Sequence, residues 1–161
     1  MARWIICLFI AVLSAIAQPA DKNWPQFRGR QANGIAEGQE LPVRWDVKTG
    51  ENIKWRVAVP GLGLSSPIVW GDRLFLTTAV SEADKGDLRL GLYGDVAPVD
   101  DESEHVWKVL CYRRSSGELV WEREVHRGVP KVKRHTKSSH ANSTLATDGK
   151  RLVAFFGSEG Q

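Results

Sequence analysis

Sulfur is scarce in this chain: its 161 residues include two cysteines and one methionine. Cys7 lies in an N-terminal apolar run that export would remove, which leaves Cys111 alone and excludes an intrachain disulfide. Stability must then come from apolar burial and strand pairing. Charge of one sign is also scarce. Lys and Arg number 22 against 19 Asp and Glu, a formal net charge of +3, and that balance does not indicate nucleic-acid binding. Only one long apolar run is present. It spans Trp4 to Ile16, follows Arg3, and leads into the small-x-small pattern Ala15-Ile16-Ala17. These are the marks of a signal peptide, residues 1–17, with the mature chain beginning at Gln18. The run is short for a membrane span, so no stable span is expected after cleavage; retention as an anchor is the alternative. Cys7 follows Ile6 rather than a small residue, which excludes lipidation there. The expected location is exported, either periplasmic or extracellular. Beyond the signal no stretch has the period of a long amphipathic helix. Disorder is excluded by a composition that is 42% hydrophobic and 25% charged.

Tryptophan, by contrast, is plentiful, with seven residues. Trp45, Trp55, Trp70, Trp107 and Trp121 fall in or beside expected strands, a recurrence typical of β-repeat proteins. Core packing is their first reading, ahead of ligand stacking. A block of sequence also occurs twice. Its first copy runs from Trp55-Arg56-Val57 through a Pro-Gly turn to Ser65-Ser66-Pro67-Ile68-Val69-Trp70-Gly71-Asp72-Arg73-Leu74-Phe75-Leu76. Its second runs from Trp121-Glu122-Arg123 through a basic linker to Asn142-Ser143-Thr144-Leu145-Ala146-Thr147-Asp148-Gly149-Lys150-Arg151-Leu152-Val153. Repeats of this kind imply a stacked or radial β architecture. Copy two ends close to Gln161, so the chain is expected to be the N-terminal part of a longer repeat protein.

Three regions follow one another. Residues 1–17 are the signal, and 18–51 are an irregular lead-in punctuated by Gly, Pro and Asn-Gly. Residues 52–161 carry short β runs. Ile53 to Val59 alternates apolar and polar residues at period two, which predicts a half-buried strand. Strands are then predicted over Ser66 to Trp70, Arg73 to Ala79, Val106 to Arg113 and Glu118 to Val125. Mostly short turns join these four, as in one propeller blade. Ser143 to Thr147 and Arg151 to Phe156 would open the next. An acidic insertion from Glu82 to Glu104, densest at Asp100-Asp101-Glu102, and a basic stretch from Arg123 to Lys137 both read as solvated loops.

The segment Cys111-Tyr112-Arg113-Arg114-Ser115-Ser116-Gly117-Glu118-Leu119-Val120-Trp121 resembles the repeat of the pyrrolo-quinoline-quinone (PQQ)-like β-propellers, which ends in Thr-Gly, a few residues and Trp. Thr49-Gly50-Glu51-Asn52-Ile53-Lys54-Trp55 is similar, with one extra residue. Gly50, Trp55, Gly117 and Trp121 are the matching positions; Arg113 stands where the repeat usually has Asp. Asn23-Trp24-Pro25-Gln26-Phe27-Arg28-Gly29, followed by Asn33-Gly34, resembles the lead-in of exported bacterial members. The resemblance implies an all-β partial β-propeller: one complete four-stranded blade, a preceding closing strand at Ile53 to Val59, and the start of a second blade. The remaining blades would be its partners, in a ring of seven or eight.

Two functions are compatible with that fold. The leading one is an exported scaffold for binding or protein assembly, non-catalytic in this part of the chain. The alternative is the N-terminal part of a quinone-dependent alcohol or sugar dehydrogenase, which needs PQQ, Ca²⁺ and a carboxylate base. The chain has no adjacent cysteines of the kind many such enzymes carry, and its carboxylates cluster in the insertion. No cofactor is expected for this segment alone. His126, His135 and His140 have no common zinc spacing, and cations surround them. The acidic run lacks the spacing and Gly of a calcium loop. The candidate contact for an anionic ligand or a protein partner is the basic loop, with Arg127, Lys131, Lys133, Arg134, His135, Lys137 and His140.

Overall fold

The structure, a computed structural model, describes residues 22–83, 88 and 96–159. The expected signal peptide, residues 1–17, and the cleavage expected before Gln18 fall outside those residues. So does much of the acidic insertion. Six strands form two antiparallel sheets, and no helix occurs among the described residues.

The first sheet is a meander in chain order, β1 (Ile68–Trp70), β2 (Arg73–Ser81), β3 (His105–Arg113) and β4 (Leu119–Gly128). Each strand follows from local chemistry. Gly71-Asp72 reverses the chain, so that Trp70 faces Arg73 across a two-residue turn. β2 then pairs with β3 without a break from Arg73↔Arg113 to Ser81↔His105. The long connection between them closes where the Glu82 N–H donates to the Glu104 carbonyl at 3.0 Å. β3 is the central strand. All its residues except Lys108 and Arg113 are buried, which explains its nearly continuous apolar composition.

β4 pairs with β3 through two bulges. Trp107↔His126 is followed by Lys108↔Glu124, and Cys111↔Trp121 by Tyr112↔Leu119. Val125 and Val120 are therefore the extra residues. A bulge changes which side chains share a face. Counting by twos from Trp121 would place Val125 on the face of Trp107. The bulge places His126 there instead.

The second sheet is a short hairpin of β5 (Ala146–Thr147) and β6 (Leu152–Val153). Asp148 Oδ1 shapes its turn by accepting from the Lys150 and Arg151 N–H groups at 2.9 and 2.7 Å. Two apolar clusters join the sheets. One contains Ile68, Val109 and Leu145, flanked by Phe75, Trp121 and Leu152; the other contains Ala79, Trp107, Ala141 and Phe156. Burying a residue the size of Leu145 or Ile68 contributes about 1.5–3 kcal/mol.

Two contacts bring the earlier chain to the meander. Trp24 bridges Val69, and Leu62 bridges Ala79. The β runs predicted from Arg73, Val106 and Glu118 correspond to β2, β3 and β4, each longer in the structure. Those predicted at Ser66 to Trp70, Ser143 to Thr147 and Arg151 to Phe156 shorten to β1, β5 and β6. The strand predicted over Ile53 to Val59 is absent: these residues join no ladder among the described residues, and Val57 and Val59 are exposed. Alternation selects an apolar face, but a strand also needs a neighbour for its backbone groups.

Candidate functional site

Of the four expected repeat positions, Trp55 and Gly117 come together. The Trp55 indole sits against Gly117, in the turn between β3 and β4, and its Nε1–H donates to the Arg114 carbonyl at 2.9 Å. Trp70 sits in the same way against Gly149, in the turn between β5 and β6. Both glycines have positive φ, +76° and +86°, and a Cβ at either would collide with the ring. Trp121 is half-buried, tilted against Phe75 with ring centroids 6.0 Å apart. Gly50 has positive φ but open space beside it.

The basic loop is not a uniformly solvated surface. Arg127 pairs with Glu104 at 2.9 Å and Glu124 at 2.7 Å. Lys133 pairs with Asp100 at 2.7 Å and Glu102 at 3.1 Å, and these hydrogen bonds hold its ammonium above the usual lysine range. Lys131 donates to the Glu159 carbonyl at 2.9 Å. Arg134 is buried and donates to the Ser138 carbonyl at 3.2 Å. His135 is exposed and accepts from the Lys137 N–H at 3.1 Å. His140 is buried. Arg127 and Lys133 thus meet carboxylates of the acidic stretch, where the sequence alone reads both stretches as solvated loops.

The least expected grouping surrounds Trp107. Its indole packs against His126, His105 and His140 with centroids 4.9, 5.7 and 6.0 Å away, and His105 meets His140 edge-on at 5.1 Å. The Trp107 Nε1–H donates to the His140 carbonyl at 3.1 Å. A buried carboxylate stands on either side. His105 Nε2 lies 3.7 Å from Asp101 Oδ2, and His126 Nε2 lies 3.6 Å from Glu159 Oε2. His105 Nδ1 donates to the Ser103 carbonyl at 2.9 Å, which leaves Nε2 as the acceptor of the neutral ring.

Asp101 is well satisfied. Burial alone would raise its pKa, but hydroxyl hydrogen bonds from Ser103 and Ser81, the Ser103 N–H and nearby His105 bring it down to about 2. Both hydroxyls thereby point at a carboxylate and not at an imidazole, so the Ser, His and Asp here are no nucleophile–base pair. Glu159 is the opposite case. It is 2% exposed, and neither carboxylate oxygen has a hydrogen-bond partner among the described residues. Burial pushes His140 below the ordinary imidazole value; the His105 ring and Arg134 push the same way, against Glu159 and Asp101.

Asp101 is engaged by serines, Asp100 and Glu102 by Lys133, and no group of three or more His, Cys, Asp or Glu among the described residues is arranged to hold a metal ion. Cys111 is buried in the sheet, and burial raises its thiol pKa. A separate cavity of about 430 Å³ lies in the lead-in, between Asn23, Trp24, Arg30, Gln31, Glu37 and Gln39. Two of its polar groups already serve the fold: Asn23 Oδ1 accepts from the Gly71 N–H, and Gln31 Oε1 from Asn33 Nδ2. No helix among the described residues is long and apolar enough to cross a membrane. No protein-family model matches the chain, and neither a curated protein nor a solved structure is found similar to it.

Proposed function

We propose that this chain is a repeat-type β scaffold, the opening part of a β-propeller, that acts outside the cytoplasm by holding a protein partner. Packing of the Trp55 and Trp70 rings on the Gly117 and Gly149 turns supports the repeat reading, because the same device recurs at successive turns. The observation that carries the binding role is an exposed strip in the lead-in. Leu41, Val43, Trp45 and Val47 alternate along the chain and are 67%, 94%, 66% and 53% exposed. Apolar side chains concentrated this way on a surface mark a contact for another protein. The basic loop is a weaker partner surface, because the cations Arg127 and Lys133 already have carboxylates. Site-specific photo-crosslinking in the producing cell tests the role. A photoreactive residue at Val43 or Trp45 should give a discrete adduct with a second protein, and one at exposed Glu122 should not. Equal labelling at all three positions, or none at Val43 and Trp45, would overturn it.

A further inference from the structure

We infer that the imidazoles around Trp107, flanked by the buried Asp101 and Glu159, form a proton-operated latch that holds the 129–145 loop on the first sheet at neutral pH and releases it on acidification. This goes beyond the scaffold reading and does not depend on it.

The latch is built from four separate stretches. β3 supplies His105 and Trp107, and Asp101 precedes it. β4 supplies His126, aimed inward by the bulge at Val125. The loop supplies His140, Arg134 and Lys131, and Glu159 follows β6. His140 is the moving part. Its carbonyl accepts from the Trp107 indole, and the next carbonyl, Ala141, accepts from the Leu64 and Ser65 N–H groups at 3.0 and 3.2 Å. The loop is therefore tied to the segment before β1 through the residue adjoining the imidazole.

The charges decide the direction. A proton on His140 would sit on a buried ring facing His105 and Arg134, with Glu159 and Asp101 offering partial relief. Asp101 stays ionised across the physiological range, held by its serine bonds. Glu159 lies close to His126 as well, with its Oε2 3.6 Å from the ring Nε2. Burial keeps His140 less basic than the ordinary 6.5, so the released loop, with His140 in water, takes up the proton first. The closed state is thus fully favoured above pH 6.5 and loses ground as the pH falls from there towards the depressed value of His140.

Amide hydrogen exchange on the whole protein between pH 7.5 and 5.0 tests this, with protection factors corrected for intrinsic exchange. Leu64, Ser65 and the Trp107 indole N–H should lose protection together, by up to about tenfold per pH unit below 6.5 for one proton. Core amides of β2 and β3 should keep theirs. In His140→Gln the pH dependence at the three sites should vanish. In His105→Gln, where a facing imidazole is removed, the loss should still begin near pH 6.5 but level off at lower acidity, so that its total is smaller. Should either variant fail to fold, the His140 ring proton in the unmodified protein gives the answer by NMR titration. Flat protection across the range, an unchanged dependence in His140→Gln, or a His140 midpoint at or above 6.5 would overturn the latch.

Discussion

Trp55 fills the space that a side chain at position 117 would need. A Cβ built on Gly117 lies 2.6 Å from the ring, and the turn residue has φ +76°. Gly117→Ala therefore meets a positive-φ cost and a steric clash at once. We expect a loss of about 1–3 kcal/mol, visible in urea titration as a lower midpoint. Trp55→Ala relieves the clash but not the backbone cost, so the double variant should lose less than the two single losses added together. Strict additivity would mean that the ring and the turn are energetically independent.

Asp101 makes stability fall in acid. Its folded carboxyl titrates at about 2 against an ordinary 3.8. The ionised group is favoured in the fold, so its contribution is complete above pH 3.8 and disappears as the pH falls from there towards 2. The shift corresponds to on the order of 2 kcal/mol. Denaturation midpoints at pH 5 and pH 2.5 should differ in the unmodified protein by more than they do in Asp101→Asn. An equal difference in both would assign the acid sensitivity to other carboxylates.

Neutralisation of the basic stretch by its acidic neighbour predicts weak anion binding with a latent reserve. Lys133 is held by Asp100 and Glu102. Asp100→Asn combined with Glu102→Gln should release that ammonium and raise the salt needed to elute the protein from heparin. Lys133→Gln added to this pair should reverse the gain. Elution at the same salt for all three proteins would show that Lys133 contributes no anion contact even when unpaired.

Much of the sheet was legible in the sequence, and the reasons are local. β2 to β4 carry β-branched and aromatic residues, and Gly71-Asp72 and Ser115-Ser116-Gly117 mark the turns before β2 and after β3, so composition and punctuation agree there. Ile53 to Val59 shows the limit of periodicity: it reports the apolar side of a run and says nothing of whether a neighbouring strand exists. The Trp107 grouping was out of reach for a related reason. His126 and His140 stood out in the sequence, but His105 did not, and only the β3–β4 register with its bulge brings all three to one indole. Asp101 looked like one of several solvated acids. Ser103 beside it and Ser81, twenty residues before it, together make burial tolerable, and the Ser81 pairing depends on how the insertion closes.

The meander order also sets a sequence of events in time. β1 to β4 pair only with chain neighbours, and hairpins between such neighbours close quickly. The Trp24–Val69 bridge and the Ala141 bonds to Leu64 and Ser65 join residues far apart along the chain. Closing those larger loops costs more entropy, and it is repaid only once the sheet exists to receive them. The four-stranded sheet should therefore form first during refolding, with the lead-in and the 129–145 loop docking afterwards. In unfolding the same two segments leave first, and a protease would meet them while the sheet is still whole.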